Sequence, residues 1–175
     1  MLSAISYGFD FNYGKAISNN WYLYSYISIF HEDDTFLALE SNNVTSKNEY
    51  DGVYVDVTNY FTISKDGSFK GELGLVYLSG FLEGSYTLSE TTNLTGGLRK
   101  SFWNKRAVLS VTANDILGKA NPGYRSKYLN QNNNFLTVNE TQNIQIGFTY
   151  NFGNFKLEDN ERQIEKAERE RISPE

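Results

Sequence analysis

Apolar and polar residues alternate with a period of two along most of this chain. Residues 143–152 show it most plainly. Ile144, Ile146, Phe148, Tyr150 and Phe152 take every second position, with Gln145, Gly147, Thr149 and Asn151 between them. A strand points successive side chains to opposite faces, so this ribbon has one greasy face and one wet face. Near the start, Ile5, Tyr7, Phe9, Phe11 and Tyr13 alternate with Ser6, Gly8, Asp10 and Asn12. A second strand is predicted over about 21–31. It carries Trp21, Leu23, Ile27 and Ile29 on one side and Tyr22, Tyr24, Tyr26 and Phe30 on the other, so its facing is ambiguous. A third covers about 50–64, where Val53, Val55, Val57, Phe61 and Ile63 share a face with one misfit, Asn59. The fourth spans about 68–81, with Phe69, Leu73, Leu75, Tyr77 and Phe81 on one side. The fifth holds Leu94, Leu98 and Phe102, and the sixth covers about 107–117 with Leu109, Val111 and Ala113. Polar connections are expected near 14–20, 32–49, 65–67, 83–90, 103–106 and 118–142. Asp66-Gly67 is a hairpin signal.

The connections alternate short and long. Membrane barrels show this because tight turns lie on the periplasmic side and long loops outside. Aromatics flank the short turns: Tyr13, Trp21, Phe61, Phe69, Phe102 and Trp103 are expected at one height, as an interfacial girdle. An apolar band of roughly 25 Å, crossed at a tilt near 40°, needs about ten residues per strand, and most segments have that length. Asp10, Asp56, Glu72 and Arg99 fall on the polar faces. Lys100 and Asp115 have lipid-face parity near the rims, where a charge costs about 0–1 kcal/mol and a long stem can snorkel. The expected fold is all-β: an antiparallel transmembrane β-barrel segment of about seven meandering strands.

Composition agrees with this reading. Aromatics are 15 % of the residues, with 13 Tyr and 12 Phe. Such amphipathic rings suit a membrane interface. No apolar run approaches 18 residues, which excludes a transmembrane helix but not a barrel. The chain has no Cys, hence no disulfide framework, and its net charge of −5 without a basic stripe argues against a nucleic-acid partner. No signal peptide is read at Met1 to Ile5.

Candidate chemistry is sparse. His31, the one histidine, stands beside Glu32, Asp33 and Asp34. One histidine with loop acids reads as a solvated loop start rather than a metal site. Asp10, Glu72 and Arg99 read as lumen charges rather than an acid–base group. There is no phosphate loop, and Gly96-Gly97 reads as a curvature device. The three Asn-x-Thr sequons at Asn43, Asn93 and Asn139 are expected by chance. The Asn-rich segment 118–142 is expected to be a flexible loop. No catalytic role, cofactor or metal is expected.

Short turns mark the periplasm, so the first and last strands both run down toward it. Seven strands with ends on opposite sides do not close as an antiparallel barrel. The expectation is the C-terminal piece of a larger, here incomplete, barrel. Several stretches carry a resemblance: residues 98–106 (L-R-K-S-F-W-N-K-R), 109–117 with Asn114-Asp115-Ile116-Leu117, the Asn-rich loop, and Tyr150-Asn151-Phe152-Gly153-Asn154. Together they resemble the end of a TonB-dependent receptor, of the outer-membrane β-barrel type found in Bacteroidetes. The likeness is strongest over 68–154. Gln145, Gly147, Tyr150 and Phe152 also match the last-strand pattern read by the outer-membrane assembly machinery, although the chain continues past Phe152. The resemblance implies a barrel of about 22 strands with a plug, energised through TonB, taking up a scarce nutrient or siderophore-like ligand. It implies four partners: the outer-membrane lipid bilayer, the assembly machinery, the remainder of the barrel with its plug, and the TonB system.

Residues 1–154 are expected to form the barrel part and 155–175 a short charged C-terminal helix or tail on the periplasmic side. From Lys156 to Glu175 five basic and seven acidic residues stand in mixed order. Two other classes remain open: a small outer-membrane barrel closed by self-association, and a soluble β-rich ligand-binding module.

Overall fold

The computed structural model describes residues 1–38 and 42–152. The charged tail expected over 155–175 lies outside these residues. Eleven strands are present, and no helix, among the described residues: β1 (Ser3–Ser18), β2 (Trp21–Leu37), β3 (Thr45–Thr62), β4 (Phe69–Leu78), β5 (Phe81–Glu83), β6 (Tyr86–Leu88), β7 (Thr91–Phe102), β8 (Ala107–Asn114), β9 (Gly123–Tyr128), β10 (Gln131–Leu136) and β11 (Asn143–Tyr150). Seven form one antiparallel meander in the order β1-β2-β3-β4-β7-β8-β11. These are the seven expected strands. The other four form a second sheet, β10-β9-β6-β5, within the two longest connections.

The main sheet differs from expectation mostly in reach. β1 runs to Ser18, so residues 14–18 are strand and the turn is only Asn19-Asn20, with Ser18 opposite Trp21. β2 and β3 stay paired as far as Leu37 opposite Thr45, so most of the expected loop 32–49 is a two-stranded ribbon. Polar side chains there obscure a strand whose backbone pairing continues beyond the apolar band. The loop expected over 118–142 holds the ordered hairpin β9–β10, and the connection 83–90 holds β6. Strands of three to six residues carry too few alternations to stand out by periodicity.

The short turns are closed by local chemistry. At 63–68, Gly67 takes φ +67° and donates to the Ser64 carbonyl at 3.0 Å. The Asp66 carboxylate accepts from Ser64 Oγ at 2.5 Å, Ser68 Oγ at 2.8 Å and Ser68 N–H at 3.1 Å. The next short turn is tighter. Trp103, Asn104 and Lys105 all have left-handed φ, at 51°, 54° and 68°.

Cross-strand register assigns every facing. Trp21, Phe61, Gly71, Leu98, Val111 and Ile146 stand side by side across six strands. The neighbouring row is Tyr22, Tyr60, Glu72, Gly97, Thr112 and Gln145. Tyr22, Tyr60, Glu72, Gly97 and Thr112 of the second row, with Lys70, Arg99 and Ser110 of the same parity, line a cavity reaching from Ala16 on β1 to Thr112 on β8, so their face is concave. The first row is on the convex face, which exposes a continuous apolar surface from Phe9 (75 % exposed) to Ile146 (74 %). This resolves β2: Leu23, Ile27 and Ile29 point outward, and its tyrosines point inward. The misfit Asn59 is outward too, and its Oδ1 accepts from the Trp21 indole N–H at 3.0 Å.

Candidate functional site: the concave wall and its outer sheet

Two regions carry the polar chemistry. At the short-turn end the concave wall holds a cavity of about 500 Å³, with Tyr22, Tyr60, Lys70, Glu72 and Arg99 around it. Its floor is open because Gly97 has no side chain; a Cβ there would meet nothing nearer than 3.8 Å. Above it, aromatic rings line β2 and β3. Tyr22 and Tyr60 are 6.4 Å apart, and Tyr26 and Tyr54 5.7 Å. Higher still, the Phe30 ring lies over Gly52, its cross-strand partner, in the space a Cβ would fill. Aromatic–glycine pairing of this kind packs a ring against bare backbone.

The outer end is built by carboxylates. Glu32 and Asp34 have concave parity on β2. Glu32 Oε2 accepts from Leu82 N–H at 2.6 Å, and Asp34 Oδ2 from Gly84 N–H at 2.9 Å. Tyr50 donates its hydroxyl to the Ser79 carbonyl at 2.6 Å. The β5–β6 hairpin is therefore tied down over the concave mouth. β9 joins by an edge-on contact of Tyr128 with Phe36, 5.3 Å between centroids, and both rings are buried. Sequence reading took Glu32 and Asp34 for solvated loop acids. The signal that marks them is their parity with Tyr26 and Phe30 along β2, and it counts only once the strand is known to continue to Leu37.

On the outward face of the same ribbon, His31 Nδ1 lies 2.7 Å from Asp51, against the Tyr7 ring. Lys47 bridges Asp33 at 2.6 Å and Glu49 at 2.5 Å. The bond to Asp33, then that to Glu49, pushes the Lys47 ammonium well above its ordinary pKa. Asp115 does not take the lipid-facing place its parity suggested. It lies past the end of β8, with φ +45°, and is 1 % exposed. Its carboxylate accepts from Thr141 Oγ1 at 2.5 Å, Lys119 N–H at 3.0 Å and Ala120 N–H at 3.2 Å, so it knots both ends of the long connection. The Thr141 hydroxyl, with those backbone N–H groups, holds its carboxyl below the usual range. At the opposite end, the Ser64 and Ser68 hydroxyls hold the Asp66 carboxyl well below that range.

The expected girdle residues do not share one level. Trp21 and Phe61 are paired and stacked at 6.1 Å. Trp103 meets Tyr150, which meets Phe152, in edge-on contacts at 6.0 and 4.6 Å. Phe69 and Phe102 border their turns. Tyr13, however, stands opposite Ser25, four residues up from Trp21, or about 13 Å along the strand. Its place beside a turn was lost when β1 proved longer. Lys100 snorkels as expected: its Nζ passes the Phe69 ring at 5.8 Å and donates to Ser68 Oγ at 2.7 Å. Of the expected assembly residues, Gln145 and Gly147 face the concave side of β11, and Tyr150 the convex side at the lower rim. Phe152 follows and is 87 % exposed.

Residues 2–150 match an outer membrane protein beta-barrel family. The chain belongs to that family. No curated protein and no solved structure matches it. As an outer-membrane barrel protein, the chain resides in the outer membrane, and its convex apolar surface faces the lipid bilayer. The soluble-module alternative falls with this assignment, since a soluble β-domain would cover that face with a second layer. The concave face is then the inner wall of the barrel, and the second sheet is tied to it at the end away from the short turns.

Proposed function

We propose that this chain forms wall and external loops of a TonB-dependent receptor that takes up a scarce nutrient or siderophore-like ligand. The observation that carries the reading is the second sheet. The long external connections are folded into four strands and tied by Glu32, Asp34 and Tyr50 to the inner wall. An ordered, polar-anchored cap over a barrel mouth suits selective capture better than free diffusion. The run of motifs from Leu98 to Asn154 supports the same reading. In it, a plug, the TonB contact and the remaining strands come from polypeptide outside residues 1–175, and the last strand is read by the assembly machinery. The reading assigns the chain no catalytic step.

The free edges bear on the rival reading of self-association. β1 and β11 run in the same direction, and neither outer edge is paired among the described residues. Antiparallel closure between them needs an odd number of further strands, beginning and ending upward. A second copy of this seven-stranded sheet, inserted with the same sidedness, meets either edge only in parallel. Bacterial single-chain barrels have even strand counts and antiparallel neighbours.

An antibody to the tail, used on boiled and unboiled outer-membrane extract, tests this. A boiled band well above 20.0 kDa is expected. A boiled band at that mass, with a slower unboiled species, favours self-assembly instead. Loss of the chain is also expected to abolish growth on one scarce ligand, and loss of TonB to reproduce that defect. Growth unchanged on every such ligand overturns the receptor reading.

A further inference from the structure

On the concave face Lys70 stands directly opposite Arg99 across β4 and β7. Like charges in that position are destabilising. Among the described residues neither cation has an ion pair, although Glu72 lines the same cavity. Among the described residues the like-charge pair therefore has no bonded counter-ion, with Glu72 two residues along β4 from Lys70, and it faces an open space. Beside it Thr112, opposite Gly97, adds a hydroxyl, while the hydroxyl of Ser110, opposite Arg99, donates to the Gly147 carbonyl at 3.4 Å. Two rows over, the Tyr22 and Tyr60 rings stand 6.4 Å apart and tilted. Gly97 leaves the floor bare beside Arg99, and Glu72 stands in the same row between Gly97 and Tyr60. The cavity, about 500 Å³, falls within the range of small-molecule sites.

We propose that this cavity is a binding subsite for an aromatic carboxylate. The guanidinium of Arg99 offers a planar fork that matches a carboxylate bidentately, and Lys70 adds a second charge-assisted donor. The Tyr22 and Tyr60 rings offer π-faces for the flat ring in offset or edge-on contact. Each half alone is incomplete: a small inorganic anion leaves the rings unused, and a neutral ring leaves two cations facing each other. The site deepens the uptake reading by naming a class of solute, and rests on it only for the purpose of binding.

The test uses the full chain as extracted from outer membranes into detergent, with 2-naphthoate as the probe and its fluorescence anisotropy as the readout. The probe is expected to bind saturably and to be displaced by added salt. Its neutral analogue 2-naphthalenemethanol, and cyclohexanecarboxylate, which has the charge but no flat ring, are expected to bind at least tenfold more weakly. Lys70→Gln and Arg99→Gln are each expected to weaken naphthoate about tenfold or more, the range of a lost charge-assisted bond. Tyr60→Leu is expected to weaken it several-fold while Tyr60→Phe retains it. A retained gel shift in unboiled samples checks that each variant folds. Equal binding of the neutral and anionic rings, or an affinity unmoved by Arg99→Gln, overturns the proposal. So does binding that emerges only when residues 156–175 are deleted, which gives the cations to the acidic tail instead. Naphthoate binding without TonB-dependent uptake of any ligand sinks the receptor reading alone; uptake without naphthoate binding sinks this site alone.

Discussion

At the scale of single residues, Gly52 and Asp115 do work that their neighbours cannot take over. A Cβ at Gly52 occupies the space of the Phe30 ring, so Gly52→Ala must displace it. Overpacking of this kind costs about 1–3 kcal/mol. The expected outcome is a lowered urea midpoint for Gly52→Ala that is largely relieved in the double variant with Phe30→Ala. A full, additive loss in the double variant refutes the pairing. Asp115 accepts from three donors at the start and end of the outer connection. Asp115→Ala leaves them unmet, at about 1–3 kcal/mol. Trypsin cleavage at Lys119, Arg125 and Lys127 is expected to speed up by tenfold or more, with the wall strands intact. The acid form has the same effect. The folded carboxyl is held below its unfolded pKa. Its contribution is thus complete above about pH 4 and is lost as pH falls through the folded value. The connection should become cleavable by an acid protease below that window, while Asp115→Asn responds much less to pH. In the sequence Gly52 carries no signal of its own, and Asp115 reads as a rim charge of lipid-face parity. Their partners, Phe30 and Thr141, lie 22 and 26 residues away.

At the scale of elements, the ribbon formed by the outer halves of β2 and β3 acts as a post for the second sheet. Its carboxylates Glu32 and Asp34 accept from backbone N–H groups of the β5–β6 hairpin. Hydrogen bonds to a charged acceptor contribute about 1.5–3 kcal/mol. In the double variant Glu32→Gln and Asp34→Asn, the Leu82 and Gly84 amides are expected to exchange with deuterium at least tenfold faster. Amides of β4 and β7 in the wall should not change. Uniform acceleration across both sheets means that the cap is not a separate unit. β2 and β3 were legible over the apolar band because there period-two alternation is enforced by lipid on one side and water on the other. Outside the band both faces meet water or polar neighbours, the alternation fades, and a reader sees a loop.

At the scale of the whole molecule, the lipid-facing surface is the feature most open to test. Ile27 and Ser28 are adjacent on β2, yet register sends Ile27 to the convex face beside Val55 and Ser28 to the concave face beside Tyr54. Ile27→Arg is expected to cost about 2–4 kcal/mol near the bilayer midplane. It should reduce the heat-modifiable form in outer membranes, while Ser28→Arg should leave it close to wild type. Equal tolerance of both refutes the assigned facing. Alternation, turn chemistry and the rhythm of short and long connections were enough, by themselves, to determine an all-β meander of seven wall strands and its place in the outer membrane. Those are local or periodic properties, set by each residue's own preference and its parity. The facing of β2, the cap of four short strands, the burial of Asp115 and the meeting of Lys70 with Arg99 were decided only by tertiary structure. Each depends on which distant residue stands opposite, and pairing across a curved sheet leaves no period in the chain.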